Sequence, residues 1–302
     1  MMLWKITSDA NIQGQQLGSY ILSGLGETTK HSKKENRSIQ FDPQTRLMDV
    51  AICRPEASSS GTYVISTACS DSFFRVYAFD FITRKLSLCF NLHHGEHCIL
   101  KLSQICLIND SVKNHFFITG AADGYIKVFN QNTCNYTSSI SHLEGNILPQ
   151  FVTPDLQLKS HQSGINALDA KSIADWIIGT AGDDNALSIS VVHFELLASE
   201  HMRCTEVSKA QVKSAHASQI TGLKILDGKT IVTVSIDQRI NIWTWKSVGS
   251  DLVIDLSISK ISLIPDIAHL EAWQNEVTKS WTLLVCGQGI ESFTFVLNEE
   301  NV

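Results

Sequence analysis

The residues that could do chemistry in this chain fall into a repeated pattern. Thr67 and Asp71, Thr119 and Asp123, Thr180 and Asp184, and Thr233 and Asp237 each place an Asp four residues after a Thr. Three of these pairs have a histidine upstream: His94, His161 and His216. A carboxylate, an imidazole and a hydroxyl are the parts of an acid–base or nucleophilic catalyst, and catalysis requires them to converge on one pocket. Here they come one set per repeat, about 50 to 60 residues apart, which argues against convergence. The spacing fits a hydrogen-bonded network inside each repeat instead. Such a network holds its geometry only if every buried polar group in it has a partner. No catalytic residue is expected.

Two other clusters invite a functional reading. HHGEHC contains His93, His94, Glu96, His97 and Cys98, but no second segment supplies paired ligands at zinc-like spacing. It lies just before the first strand of a repeat, where His94 serves the network, so no metal is expected. Lys30, Lys33, Lys34 and Arg37 form the one dense basic run. It reads as a solvated loop, or as a phosphate contact that adds affinity without reading base sequence. The chain has no Gly-rich phosphate loop, no G-x-S-x-G elbow and no glycine motif of the S-adenosylmethionine type, so no cofactor is expected on it.

Composition sets the class. The 302 residues suffice for one large all-β domain, and 43% hydrophobic content provides a core. The net charge of −6 gives no global footprint for nucleic acid, which would meet a local patch or a partner protein. The eight cysteines form no C-x-x-C pair and lie mostly in apolar runs such as SLCF and LLVCG, as free thiols in a reducing compartment do. The start, MMLWKITSDANIQG, has no signal-peptide pattern, and no apolar run reaches the roughly 18 residues needed to span a bilayer. The expectation is a soluble, cytoplasmic protein without a membrane partner.

The elements that must position the Thr–Asp pairs are short strands. After each Asp, apolar residues fall at alternate positions: Phe74 and Val76, Ile126 and Val128, Leu187 and Ile189, Ile240 and Ile242. Period-two alternation beyond a turn residue is the mark of a hairpin. Each hairpin follows another apolar run, RLMDVAIC, CILKLSQICLI, INALDAKSI or ITGLKIL, and a further strand such as LQLKS or DLVIDLSIS fits between units. Four strands per unit make a propeller blade. A fifth unit, IAHLEAW, WTLLVCGQG and IESFTFVL, has Gln288 or Gly289 where the Asp stood. Residues 1–40 read as a leading strand, LWKIT, followed by a mobile polar loop, with the blades occupying 41–302. A proline-bearing insert is expected near residues 141–155, and residues 197–213 read as a second polar excursion.

The Thr–Asp spacing resembles that of WD-repeat propellers. In that class a turn Asp, a strand Thr or Ser, a His before the first strand and a strand Trp bond across the blade. His216, Thr233, Asp237 and Trp243 supply all four parts. The third unit has His161, Thr180 and Asp184 with Ser190 in the Trp position. The second has Phe129 there, and the first has Tyr77 and no His. About five blades and one leading strand fall short of the roughly seven usual in the class, which implies an incomplete ring with an exposed edge.

Longer stretches carry a more specific likeness. FDPQTRLMDVAI, HHGEHCILKL, HQSGINAL, AGDDNALSISV, AHASQITGLKIL with TVSIDQRINIW, and the tail IPDIAHLEAW…CGQGIESF occur in this order between Phe41 and Phe295. Together they resemble the C-terminal part of one eukaryotic family, the large WD-repeat subunit that partners an FtsJ-like tRNA methyltransferase. Family members are much longer, so the chain looks like their C-terminal portion. The resemblance implies a non-catalytic scaffold that helps the partner enzyme methylate the ribose 2'-hydroxyl of the tRNA wobble nucleotide, with S-adenosylmethionine held by that enzyme. The alternatives are a general protein-interaction propeller, such as a trafficking or ubiquitin-ligase adaptor, and an enzyme built on a propeller. The W-D-x-R strand end frequent in ligase adaptors is absent, the corresponding segments reading IWTWK and VYAFDFITR.

Overall fold

The structure is a computed structural model that describes residues 1–7, 13–22, 27–28, 40–41, 45–53, 62–109, 112–130, 152–173, 175–196, 202–249 and 251–297. Every regular element among them is a β-strand, and no helix is long and apolar enough to cross a membrane. The chain divides into two compact units, with the division falling inside the ninth strand.

The first unit opens with β1 (Met2–Thr7) paired antiparallel to β2 (Gln13–Ser19), followed by the short pair β3 (Glu27–Thr28) and β4 (Gln40–Phe41). A four-stranded antiparallel sheet follows: β5 (Leu47–Cys53), β6 (Thr62–Cys69), β7 (Phe73–Asp80) and β8 (Lys85–His93). The second strand β2 departs from the expected mobile loop. Its sequence, QGQQLGS, has no apolar alternation to mark it. It is held by the chain that follows it, where Tyr20 and Leu22 pack with Tyr77 and Phe79. The basic run Lys30, Lys33, Lys34 and Arg37 lies outside the described residues.

The next sheet is β9 (Ile99–Asn109), β10 (Val112–Ala121), β11 (Tyr125–Asn130) and β12 (Leu156–Lys159). Of the insert expected near 141–155, residues up to 151 lie outside the description. Asp155 ties its end to the sheet by accepting the Asn130 amide at 2.6 Å. Then come β13 (Ile165–Ser172), β14 (Trp176–Gly182), β15 (Leu187–Leu196) and β16 (Met202–Val212). A further sheet holds β17 (Ile220–Ile225), β18 (Thr230–Ser235), β19 (Arg239–Val248) and β20 (Asp251–Ile261). The last consists of β21 (His269–Gln274), β22 (Trp281–Gly287) and β23 (Gly289–Phe295). Neighbours in every blade are consecutive in sequence and antiparallel. Two expectations are corrected here. Residues 202–212 are the outer strand of the third blade rather than an excursion: among the described side chains of MRCTEVSKAQV only Cys204 is fully buried and most of the others are half-buried, so its alternation is faint. Among the described residues the last unit has three strands rather than four.

Packing explains why the inner strands read as continuous apolar runs. Each is covered on both faces by its neighbours, and all six residues of β18, TIVTVS, are buried. In the second unit, Ile118, Val128, Ile165 and Ile178 form one interlayer core. Leu187, Ile189, Leu223 and Trp243 form the next, and Val232, Ile242, Leu270 and Leu283 the one after it. β-branched side chains suit this half-pleat packing.

The turn that follows each Asp repeats to the atom. The next residue has a left-handed backbone: Ser72, Gly124, Asn185 and Gln238 have φ of 68°, 75°, 62° and 62°. Its carbonyl then accepts an amide from the chain leaving the outer strand: His94 to Ser72 at 2.9 Å, His161 to Gly124 at 3.1 Å, Ala215 to Asn185 at 3.0 Å and Ser262 to Gln238 at 2.8 Å. Only at position 124 is glycine sterically required, since a Cβ there would collide with the His161 carbonyl oxygen. Gly124→Ala is expected to lower stability by more than about 2 kcal/mol. Gln238→Gly should shift it by less than about 1 kcal/mol. Urea-unfolding midpoints of the two variants read the contrast, and equal effects would contradict it.

Candidate functional site

The fourth blade assembles its four polar residues into one chain of bonds. β18 presents Thr233, the turn supplies Asp237, β19 supplies Trp243, and the segment entering the blade supplies His216. His216 Nδ1 lies 3.2 and 3.1 Å from the two Asp237 carboxylate oxygens, and His216 Nε2 lies 2.8 Å from Thr233 Oγ1. Trp243 Nε1 donates to the same hydroxyl at 2.8 Å. One tautomer satisfies the set: Nδ1–H donates to Asp237, and Nε2 accepts the Thr233 proton. Asp237 also accepts the amides of Arg239 at 2.9 Å and Ala217 at 2.9 Å. The third blade repeats this. His161 Nδ1 meets Asp184 at 2.9 Å and Nε2 meets Thr180 at 3.0 Å, while Asp184 accepts the Gln162 and Ala186 amides. Ser190 stands where Trp243 stands and donates to Glu206 on β16 at 2.8 Å.

Burial sets the electrostatics. The side chains of His161 and His216 are 0% exposed. Desolvation holds both imidazoles below their ordinary value, against the opposing pull of Asp184 and Asp237. Burial alone would raise the two carboxyls, yet the amides and imidazoles around them hold both below the usual carboxylate range. Each imidazole is therefore neutral and already bonded at both nitrogens. Neither has a lone pair left to act as a general base.

The first blade solves the same problem with a residue that the spacing did not flag. Arg75 on β7 grips Asp71 bidentately, Nη1 to Oδ1 at 3.1 Å and Nη2 to Oδ2 at 2.8 Å, with side-chain exposures of 0% and 2%. Its guanidinium lies 4.8 Å from the Phe73 ring centre. The signal was present: one arginine inside FFRVYAF, where every other side chain is apolar. Thr67 donates to the Arg75 carbonyl at 3.3 Å, and Asp71 accepts the Phe73 amide at 3.2 Å. In the second unit Thr119 donates to the Lys127 carbonyl at 3.3 Å and Asp123 accepts the Tyr125 amide at 3.1 Å. His94, in the first unit, is buried, and its amide is the donor to Ser72.

The remaining candidates do not converge. Around HHGEHC, His94 is buried, Glu96 and His97 are exposed, and the His93 ring packs on Phe73. Among the described residues no three His, Cys, Asp or Glu side chains are grouped to hold a metal ion. Cys69, Cys89, Cys98, Cys204 and Cys286 are free, and burial pushes the Cys204 thiol up to about 12, which leaves it inert near neutrality. A charged latch joins three inner strands of the second unit: Lys224 pairs with Glu271 at 2.9 Å and lies 3.9 Å from Asp169. Asp169 in turn accepts the Ile225 amide at 2.9 Å. The arrangement fastens blades together and offers no nucleophile with an adjacent free base.

Two measurements probe these networks. Arg75→Met should destabilise by roughly 3–5 kcal/mol because it strands a buried carboxylate, and the double change Arg75→Met with Asp71→Leu should recover much of that loss. Equal losses in the single and double variants, read by urea unfolding, would contradict the pairing. The pH response follows from the histidines. Because the unfolded chain binds protons on His161 and His216 near 6.5 while the folded chain holds them neutral, their contribution is complete above that value and declines as pH falls below it. The Asp184 and Asp237 contributions, complete above 3.8, decline at still lower pH. The urea midpoint should thus fall between pH 7.5 and 5, and His216→Gln should flatten that slope.

No protein-family model matches the chain. It is 26% identical over 287 residues to the tRNA (34-2'-O)-methyltransferase regulator WDR6 of Pongo abelii and of Homo sapiens. It is 25% identical over 289 residues to the protein of that name from Rattus norvegicus. Each match covers 90% of this chain and 25% of the relative, so the chain spans about a quarter of the length of these curated relatives. Among solved structures it superposes on a chain of the crystal structure of the Chaetomium thermophilum polycomb repressive complex 2 (PRC2) with a TM-score of 0.51. That likeness has 14% identity and covers 80% of this chain and 48% of the other, and it speaks for the fold alone. In fold the chain is a run of WD-repeat propeller blades, and in sequence it is similar, over 90% of its length, to a quarter of the curated regulators of tRNA 34-2'-O-methyltransferase.

Proposed function

We propose that the chain is a non-catalytic WD-repeat scaffold that supports 2'-O-methylation of the tRNA wobble nucleotide by a separate, FtsJ-like methyltransferase in the cytoplasm. The observation that carries this reading is the likeness to the 34-2'-O-methyltransferase regulators, which runs through all the blades rather than through one repeat. The chemistry of the blades supports it: the acids, imidazoles and hydroxyls of the third and fourth blades are bonded to one another, so any chemistry belongs to the partner. The partner also supplies S-adenosylmethionine. A net charge of −6 favours a subunit that leaves most RNA contact to that enzyme, with Lys30, Lys33, Lys34 and Arg37 adding a local phosphate contact.

The test is genetic and biochemical together. The affinity-tagged native protein should retain the FtsJ-like enzyme through purification, and deleting the gene should remove the ribose methyl group at the wobble position, read by mass spectrometry of tRNA digests. Unchanged wobble methylation in the deletion strain, with no retained methyltransferase, would overturn the proposal.

A further inference from the structure

The seam between the third and fourth blades leaves a cavity, and the seam before it shows what the cavity lacks. Strands β13 and β14 pack on β17, and β16 packs on β20, yet a space of about 390 Å³ remains between the blades. Both blades have all four strands, so no element is missing there. Ile173, Ile177, Val191, Val207 and Trp245 form apolar walls, and Ser247 and Asp175 also border the space. Val207 is 61% exposed and Ile173 45%, so the cavity opens to solvent.

The seam between the second and third blades is filled by rings. Phe116, three residues before the network Thr119, meets Phe194, ten residues after the turn Asp184, with 4.7 Å between ring centres. Trp176 stands 6.3 Å from the Phe194 ring. One blade further on, the residue three before Thr180 is Ile177, and the residue ten after Asp237 is Ser247. Both of these line the cavity. Where one seam holds two phenyl rings, the next holds an aliphatic chain and a hydroxymethyl group, and the backbones have not moved in to take up the difference. The border is also charged. Asp175 is the one charged residue among the described lining, and its side chain is 40% exposed. Its Oδ1 lies 2.8 Å from His193 Nδ1, and its Oδ2 has no partner among the described residues.

We propose that this cavity receives an aromatic side chain of a partner protein, Phe above all, with a Lys or Arg close by in the partner's sequence to engage Asp175. The molecule itself seats a phenyl ring at the matching place in the preceding seam, and the free carboxylate oxygen calls for a cation. A nucleic acid also offers flat rings, but its phosphates would stand against Asp175 at an aliphatic border. A second copy of the chain has no matching segment among the described residues. Its one exposed aromatic side chain there is Trp273, on a strand that carries Glu271 and neither Lys nor Arg. The proposal goes beyond the methyltransferase reading and is tested without it, since neither enzyme nor tRNA enters the experiment.

A random peptide library displayed on phage is panned against the full chain, and a selected peptide is titrated by fluorescence anisotropy. Selected sequences are expected to share an aromatic residue close to Lys or Arg, and exchanging that aromatic for Ala should abolish binding. Ser247→Phe puts a ring where Phe194 has one, and it should weaken the peptide about tenfold or more while leaving the thermal midpoint unchanged or raised. If that variant melts lower, the Asp175 pair decides instead. Asp175→Asn should weaken binding severalfold and Asp175→Lys about tenfold or more, and a peptide with Glu in place of its cation should prefer Asp175→Lys to the unaltered chain. The idea is overturned if the library yields no such peptide, or if folded Ser247→Phe or the Asp175 variants bind it as the unaltered chain does. It is also overturned if a mixed-sequence single-stranded RNA binds in the peptide's place, or if the chain dimerises and Ser247→Phe dissolves the dimer.

Discussion

The first four blades depend on a carboxylate at the turn between the second and third strands. Asp71, Asp123, Asp184 and Asp237 each accept the amide two residues on, which closes the turn and places the intervening residue in the left-handed region. The carbonyl of that residue is thereby aimed at the chain leaving the outer strand, and it accepts an amide from it. A single acid thus fixes the hairpin, the exit of its blade and the entry to the next. A buried acid of this kind must itself be satisfied, and that demand shapes the rest of the polar interior.

The demand is electrostatic, and more than one residue meets it. In the third and fourth blades a neutral imidazole bridges the Asp to a strand Thr, while in the first an arginine grips the Asp directly. The outer end of the network is equally exchangeable. Trp243 donates to Thr233 in one blade, and in another Ser190 reaches across to Glu206. The resemblance between blades therefore lies in bonds made, rather than in letters shared. In the third and fourth blades the imidazoles, acids and threonines that look catalytic in isolation are bonded to one another.

The parts of the fold that were legible in the sequence are those where burial leaves a periodic mark. Ile240 and Ile242 after Asp237, or Leu187 and Ile189 after Asp184, sit in strands covered on both sides, and covered strands cannot hide their composition. Strands with one face in water left weaker traces. β16, with only Cys204 buried, reads as a polar excursion, and β2 reads as a loop because the residues that hold it, Tyr20 and Leu22, lie beyond its end. Arg75 was visible as an anomaly but not as a member of the network, because a template built on histidine has no place for it. The last blade, with three strands among the described residues, followed the same logic, since Gln288 and Gly289 signalled only a departure from the turn pattern.

The short reach of each network has a consequence for how such a protein diverges. His161 meets Asp184 only 23 residues later, and His216 meets Asp237 only 21 residues later. These two units therefore carry their own His–Asp closure, and to their neighbours they offer an apolar face and the Asp169–Lys224–Glu271 latch. A copied unit arrives able to close itself, and afterwards each copy can drift separately, one keeping its Trp, another trading it for a Ser and a Glu. The freedom ends at the turn acid, where the neighbouring blade also takes its bearing. Modules that are self-sufficient inside and constrained only at their seams can lengthen an array and change its surfaces without renegotiating the whole interior.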